Sequence, residues 1–260
     1  MLDSTDLKFA FEDLNLVDKP VIVHASLRPF GYSRSGADAV LRAMRSSFKS
    51  VTMPAFTYKT MVTPEVGPPN NGILYGSEKD LNKMAQAFTL NMCVDPMIGI
   101  LAETLQIRPF ATRTAHPILS FTGIRADEFL ITQTLSEPLA PIGALANADG
   151  WVVLINVDHS VNTSIHYAEK LAGRRQFIRW AIMGDRIVEC PGFPGDSSGF
   201  NAIAEHLKPN TRRVDIGNGF VQAVSLKCLF ETVQELIKKD PLALLCQRTD
   251  CERCNAIRES

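Results

Sequence analysis

An excess of either charge is what this chain lacks: 27 Lys and Arg stand against 28 Asp and Glu, a formal net charge of −1 over 260 residues. That balance excludes a general electrostatic affinity for nucleic acid or an anionic membrane. No apolar run reaches the roughly 18 residues that a membrane span requires. The N-terminus, Met1-Leu2-Asp3-Ser4-Thr5-Asp6, has neither a basic start nor an apolar signal core, so the expectation is a cytoplasmic protein. Also missing are a G-x-x-x-x-G-K-[ST] loop and a G-x-G-x-x-G turn behind a strand, which argues against nucleoside triphosphates and dinucleotides. No internal repeat and no compositional break marks a second unit. The expectation is therefore one domain over residues 1–260, with a Cys-containing tail at 241–260. Apolar residues, by contrast, are plentiful at 45%, enough to build a large core.

Apolar periodicity alternates between that of strands and that of helices, which defines an α/β class with a mixed sheet flanked by helices. Residues 20–25 are β-branched and apolar, as in a buried parallel strand. Val40, Leu41, Met44 and Phe48 then recur at helical spacing. Further strands are expected at 51–56, 119–124 and 151–157, and at 177–183 and 186–190 about a Gly184-Asp185 type I′ turn. Further helices are expected from Asp95-Pro96 to near Ile107, at 127–134, 142–147, 200–207 and 225–239, and directly after Asn162. Residues 63–76, with three prolines and two glycines before the closing Gly76, read as a long surface loop.

The most informative stretch is Asn162-Thr163-Ser164-Ile165-His166-Tyr167-Ala168-Glu169. Asn162 or Thr163 can cap a helix whose first turn then holds His166, where the macrodipole disfavours an imidazolium and suits a proton acceptor. This octet follows, in order, Val21-Ile22-Val23-His24-Ala25-Ser26-Leu27, Met53-Pro54-Ala55-Phe56-Thr57, Arg113-Thr114-Ala115-His116-Pro117 and Pro141-Ile142-Gly143, and it precedes Asp215-Ile216-Gly217-Asn218. In order and spacing the set resembles the aminoglycoside 3-N-acetyltransferase family from about Val21 to Ala243. The resemblance implies an antibiotic N-acetyltransferase fold, an antibiotic-resistance type of activity and acetyl transfer from acetyl-CoA to a primary amine of an aminoglycoside-like acceptor.

The loop from Ser26 to Gly36 runs from a strand end into a helix whose free backbone N–H groups attract phosphate. Ser35 with Asp38 has capping-box spacing, and Arg28 and Arg34 offer charge-assisted bonds. The resemblance assigns Ser26, Leu27 and Arg28 to coenzyme A, with Met53, Pro54 and Thr57 near the thioester. It makes His166 the general base, its second ring nitrogen oriented by a carboxylate. Asp196 or Glu169, the latter at i+3 from His166, would supply it. His116, set on extended backbone by Pro117, would face the acceptor. A polyamine acceptor calls for acidic groups in its cleft, with Asp158 foremost and Asp196, Glu65 and Glu78 behind it. Two departures from the family pattern, Leu119 in place of a second histidine and Asn156 in place of a glycine, put the acceptor's identity in question.

Cys246-x4-Cys251-x2-Cys254, with Cys190 as a fourth thiolate, would bind a structural zinc, the alternative being reduced thiols in the tail. The small amine is the expected partner, and a homodimer is left open. Two other functions compete. One is a catalytically degenerate member that binds an amine or sugar. The other is a serine hydrolase using Ser197 of Gly195-Asp196-Ser197-Ser198-Gly199, a G-x-S-x-G that would need a strand directly before it and a helix after it.

Overall fold

The computed structural model describes residues 4–31, 34–77 and 79–260, without the side chains of residues 4, 34, 35 and 79. Strand order in the main sheet is β4 (Ala111–Arg113), β5 (Phe121–Ile124), β2 (Ser50–Pro54), β1 (Pro20–Ala25), β6 (Trp151–Ile155), β10 (Gly219–Ser225) and β9 (Arg212–Ile216). The three central strands β2, β1 and β6 are parallel, and antiparallel pairs close both edges. A second sheet of β3 (Met61–Val62), β7 (Phe177–Met183) and β8 (Arg186–Phe193) stands apart from it.

Both faces of the parallel centre are covered, which is why its strands read as continuous apolar runs. Val21, Val23, Val153 and Ile155 share one core with Phe11, Val40, Met44 and Leu101. These come from α1 (Ser4–Asp13), α2 (Arg34–Ser47) and α4 (Ile100–Gln106), with the short α3 (Lys79–Met84) lying outside that core. Ile22, Val152 and Leu154, one residue out of phase, face the other core with Phe129, Ile142, Ile165, Phe200, Leu207 and Leu229. That side carries α5 (Asp127–Leu130), α6 (Ala140–Asn147), α7 (Thr163–Leu171), α8 (Ala204–Leu207) and α9 (Leu226–Lys239), and α10 (Glu252–Arg258) ends the chain. α7 packs on α6 and α9. A Cβ on Gly143 would fall 2.2 Å from the Tyr167 hydroxyl, so a larger residue there would displace the Tyr167 ring that packs α7 against α6. No helix among the described residues is long and apolar enough to cross a membrane.

Several expectations need correction. The helix expected from Asp95-Pro96 begins at Ile100, because Asp95 Oδ1 accepts the Met97 N–H in a turn and Gly99, at φ 95°, breaks the path. Residues 190–193, which look strand-poor, complete β8; it is an edge strand, where Pro191 removes no ladder bond that the sheet needs. At the β7–β8 turn Gly184 has positive φ and Asp185 does not, which fits a II′ rather than a I′ turn. The β9–β10 hairpin was not foreseen, because Arg212, Arg213 and Asp215 mask its alternation, and neither α1, α10 nor the separate second sheet was expected.

Asn156, which replaces the anticipated glycine, does a glycine's conformational work at φ 54° and adds two bonds. Its Nδ2 donates to Ser26 O at 3.0 Å and its Oδ1 accepts the Phe220 N–H at 2.7 Å, tying the ends of β1, β6 and β10 together. Asn156→Ala should therefore cost about 2 kcal/mol or more in urea unfolding, since it strands both backbone groups and leaves an alanine at positive φ. Asn156→Gly should recover the backbone part of that loss. An alanine variant within about 0.5 kcal/mol of the parent, the range of neutral surface changes, would contradict this role.

Candidate functional site

Asn162 starts α7 by accepting the Ser164 N–H on its Oδ1 at 3.1 Å, while its Nδ2 donates to His159 Nδ1 at 3.2 Å. His166 follows in the next turn, and its ring packs edge-on to Phe200 with centroids 4.6 Å apart. Its Nδ1 lies 3.0 Å from Glu169 Oε2, one turn along the same face. Glu169 Oε1 accepts from Arg174 Nη1 at 2.6 Å, and Arg174 Nη2 donates to the carbonyls of Pro241 and Ala243 at 2.7 and 2.9 Å. Glu169 and Arg174 are buried, and His166 itself is only 8% exposed. The imidazole is thus held by packing on one side and by a carboxylate on the other, leaving Nε2 as the nitrogen that Glu169 does not engage.

Two cavities meet beside this ring. His166 lines one of about 490 Å³ together with Tyr58, Leu119, Arg179, Asp196 and Arg253. The other, about 430 Å³, is walled by Ser26, Leu27 and Arg28, by Met53 and Pro54, and by residues 96–100. Met97, Ile98, Val161 and Thr163 belong to both walls. The second cavity opens beyond the carboxyl ends of the parallel strands β1, β2 and β6, where ligand crevices of open α/β sheets lie.

The charge of the 490 Å³ cavity differs from the acid-lined cleft expected for a polyamine. Asp196 is the lining carboxylate among the described residues, and Arg179 and Arg253 stand with it. Burial tends to raise the Asp196 carboxyl, but hydrogen bonding at Ser198 and the charges of Arg253 and Arg248 hold it below the usual carboxylate range. Arg179 donates to the carbonyls of Asn71, Ile178 and Gly72 and stacks over Phe193 at 4.9 Å. Burial, with Arg253 adding repulsion, lowers its pKa to about 10, so it stays a cation.

Ser26, Leu27, Arg28 and Met53 line one cavity, whereas the Ser35 and Arg34 side chains and all of Glu78 lie outside the described residues. Thr57 is fully buried and its hydroxyl donates to Pro117 O at 2.7 Å, so it is not available to a cofactor. Asp196 turns to Arg253 (3.2 Å) and Arg248 (3.5 Å), so the carboxylate at the His166 ring is Glu169. His116 is buried away from both cavities, its Nδ1 accepting the N–H groups of Ile118 (3.2 Å) and Leu119 (2.9 Å); it shapes a loop, and Leu119 reaches the cavity. Asp158 spends its carboxylate on capping the short turn His159–Val161, through the Ser160 N–H. Cys190 sits in the main core, where burial pushes its thiol up to about 12. Ser197 follows three coil residues rather than a strand, and no hydrogen bond joins its hydroxyl to a base among the described residues, so the nucleophile elbow is not formed. Residues 96–100, Arg179 and Arg253 escaped the sequence reading. Only Pro96, with Gly99 three residues further on, carries a signal for a specialised loop there.

Comparison with known proteins agrees with this architecture. The chain belongs to the aminoglycoside 3-N-acetyltransferase family, whose model matches residues 22–238. It is 31% identical over 83 residues to Aminoglycoside N(3)-acetyltransferase IV of Salmonella sp., and that match spans 30% of this chain and 32% of the relative, about a third of its length. In fold it is similar to the crystal structure of aminoglycoside acetyltransferase AAC(3)-IVa, apoenzyme, with a TM-score of 0.79 at 21% identity over 99% of this chain and 97% of that one. A histidine-to-alanine mutant of AAC(3)-IVa in complex with a gentamicin gives 0.77 at 20% identity, over 99% and 97%. AAC-IIIb, binary with CoASH, gives 0.73 at 19% identity, over 92% and 97%.

Burial lowers the pKa of His24 to about 3 and that of His116 to about 4, from an ordinary 6.5. Both rings are neutral in the fold, while the unfolded chain takes up a proton on each below about 6.5. Stability should therefore fall as pH drops from about 6.5, by about 1.4 kcal/mol per pH unit for each ring, until about pH 4 for His116 and about pH 3 for His24. Urea unfolding between pH 7 and 5, above the main carboxylate range, reads this slope. His116→Asn should flatten it, and an unchanged slope would show that His116 does not carry it.

Proposed function

We propose that the protein transfers an acetyl group from acetyl-CoA to a primary amine of an aminoglycoside-like acceptor, with His166 as the general base. The observation that carries this reading is the junction of two cavities at Met97, Ile98, Val161 and Thr163, with the His166 imidazole on one side and the turn of Ser26, Leu27 and Arg28 on the other. The CoASH complex of AAC-IIIb and the gentamicin complex of AAC(3)-IVa support the two ligand classes.

The 430 Å³ cavity suits coenzyme A: Leu27, Met53, Pro54 and Ile98 offer an apolar wall for its arm, and the exposed Arg28 guanidinium is available to phosphate at the mouth. Bound acetyl-CoA supplies the activated acyl carbon. His166 Nε2 takes the proton that the attacking nitrogen must lose, and Glu169 holds the opposite nitrogen so that the ring keeps one tautomer and orientation. Nε2–H then returns the proton to the departing thiolate sulfur, which restores the neutral ring. Direct transfer needs no covalent link to the enzyme. Arg179 and Arg253 disfavour acceptors that crowd ammonium groups at their wall, so the acceptor amine enters with its other cationic groups turned away from it.

His166→Ala should lower turnover about 100-fold or more while leaving the KM for acetyl-CoA nearly unchanged, the usual scale for losing a general base. Thiol release with a panel of aminoglycosides and simpler amines measures this. Near-normal turnover would remove His166 from the mechanism, and tight coenzyme A binding without thiol release to any amine would favour a binding protein. Arg28→Ala should raise the KM for acetyl-CoA roughly 3- to 10-fold with kcat retained, as expected for an exposed charge-assisted bond. An unchanged KM would place the phosphates elsewhere.

A further inference from the structure

We propose that Asp196, Cys246, Cys251 and Cys254 form a tetrahedral zinc site that fastens the C-terminal segment to the wall of the cavity containing His166. The site stands on its own geometry and does not depend on the acetyl-transfer reading. One ligand atom from each of the four residues lies within 4.8 Å of every other, and all four residues are buried. Zinc–thiolate bonds of about 2.3 Å in a tetrahedron set sulfur–sulfur distances of about 3.8 Å, so closing the site asks for a contraction of about 1 Å or less.

The ligands come from two distant parts of the chain. Asp196 lies in the loop after β8, Cys246 in the coil after α9, Cys251 at the N-cap of α10 and Cys254 in its first turn. The Cys251-x2-Cys254 spacing brings two thiols to the same side of a helix start, as in many structural zinc sites. Cys190, the fourth ligand suggested by the sequence, is in the main core, and a carboxylate takes its place. Three thiolates favour zinc over the hard cations.

Leu244 and Ala256 of this segment reach the main core, but the stretch around the three cysteines has only a small cluster of its own. That cluster consists of Leu245 and the three cysteines, with Ile257 packed against them. Such a small cluster gains little from burial, whereas coordination bonds would supply folding free energy directly. Three thiolates and a carboxylate around a dication carry a formal charge of −2. Arg253 Nη2 and Arg248 Nη2, at 3.2 and 3.5 Å from Asp196 Oδ2, offset it, and the Ser198 N–H orients the carboxylate at 2.9 Å. Arg253, between Cys251 and Cys254, also donates to Gly195 O at 3.0 Å and lines the His166 cavity. Asn70 of the long loop donates to Ala256 O of α10 at 3.3 Å, so that loop rests on the same segment.

The full chain, purified without chelator or added metal, should contain about one zinc per chain by elemental analysis. Exchange with Co²⁺ alone should give a strong near-ultraviolet thiolate charge-transfer band and the visible bands of tetrahedral cobalt. Cys251→Ser and Cys254→Ser should each hold under about one-tenth of that zinc and should become sensitive to proteolysis after residue 245, while Cys190→Ala keeps its zinc. The proposal is overturned if the parent chain holds under about 0.2 zinc and gives no cobalt–thiolate band, or if mass analysis finds a disulfide among the three tail cysteines. Loss of zinc in Cys190→Ala with retention in Cys251→Ser and Cys254→Ser would overturn the ligand set.

Discussion

Glu169 serves two buried partners at once, and much of the site depends on that arrangement. One carboxylate oxygen holds the His166 ring and the other holds Arg174, whose remaining nitrogen reaches the carbonyls of Pro241 and Ala243. Breaking a buried ion pair by removing one partner costs about 3–5 kcal/mol, because the survivor is left uncompensated. The chain of contacts therefore does more than orient an imidazole. It couples the start of α7 to the segment that follows α9, so the ring's position is set by residues far away in sequence.

A second constraint comes from the sheet. With β1 and β6 buried on both faces, neither strand has a free surface on which to build a site, and ligand-accessible space is confined to their carboxyl ends. Asn156 gathers those ends, bonding to Ser26 and Phe220, so the turn beside the 430 Å³ cavity is anchored directly to the sheet. Burial and site placement are two results of the same packing.

The 490 Å³ cavity beside His166 has a different electrostatic character. Two guanidinium groups and one tightly held carboxylate line it, and an apolar residue, Leu119, occupies the wall where His116 had been expected. Steering there follows the local field rather than the near-zero net charge of the chain.

The sequence alone made legible the elements with strong periodicity and the residues whose neighbours along the chain define them. The central strands, α2, α7 with its Asn162 cap, the Ser26, Leu27 and Arg28 turn, and His166 with Glu169 one turn away are local features, and their spacing survives folding unchanged. The tertiary structure decided what depends on contacts between distant segments. It chose Glu169 over Asp196 for the ring, buried Thr57 and His116, brought Arg179 and Arg253 to the cavity, and gathered three tail cysteines around Asp196 rather than Cys190. A residue's type limits the bonds it can make, but its available partners are fixed only when packing places them within reach.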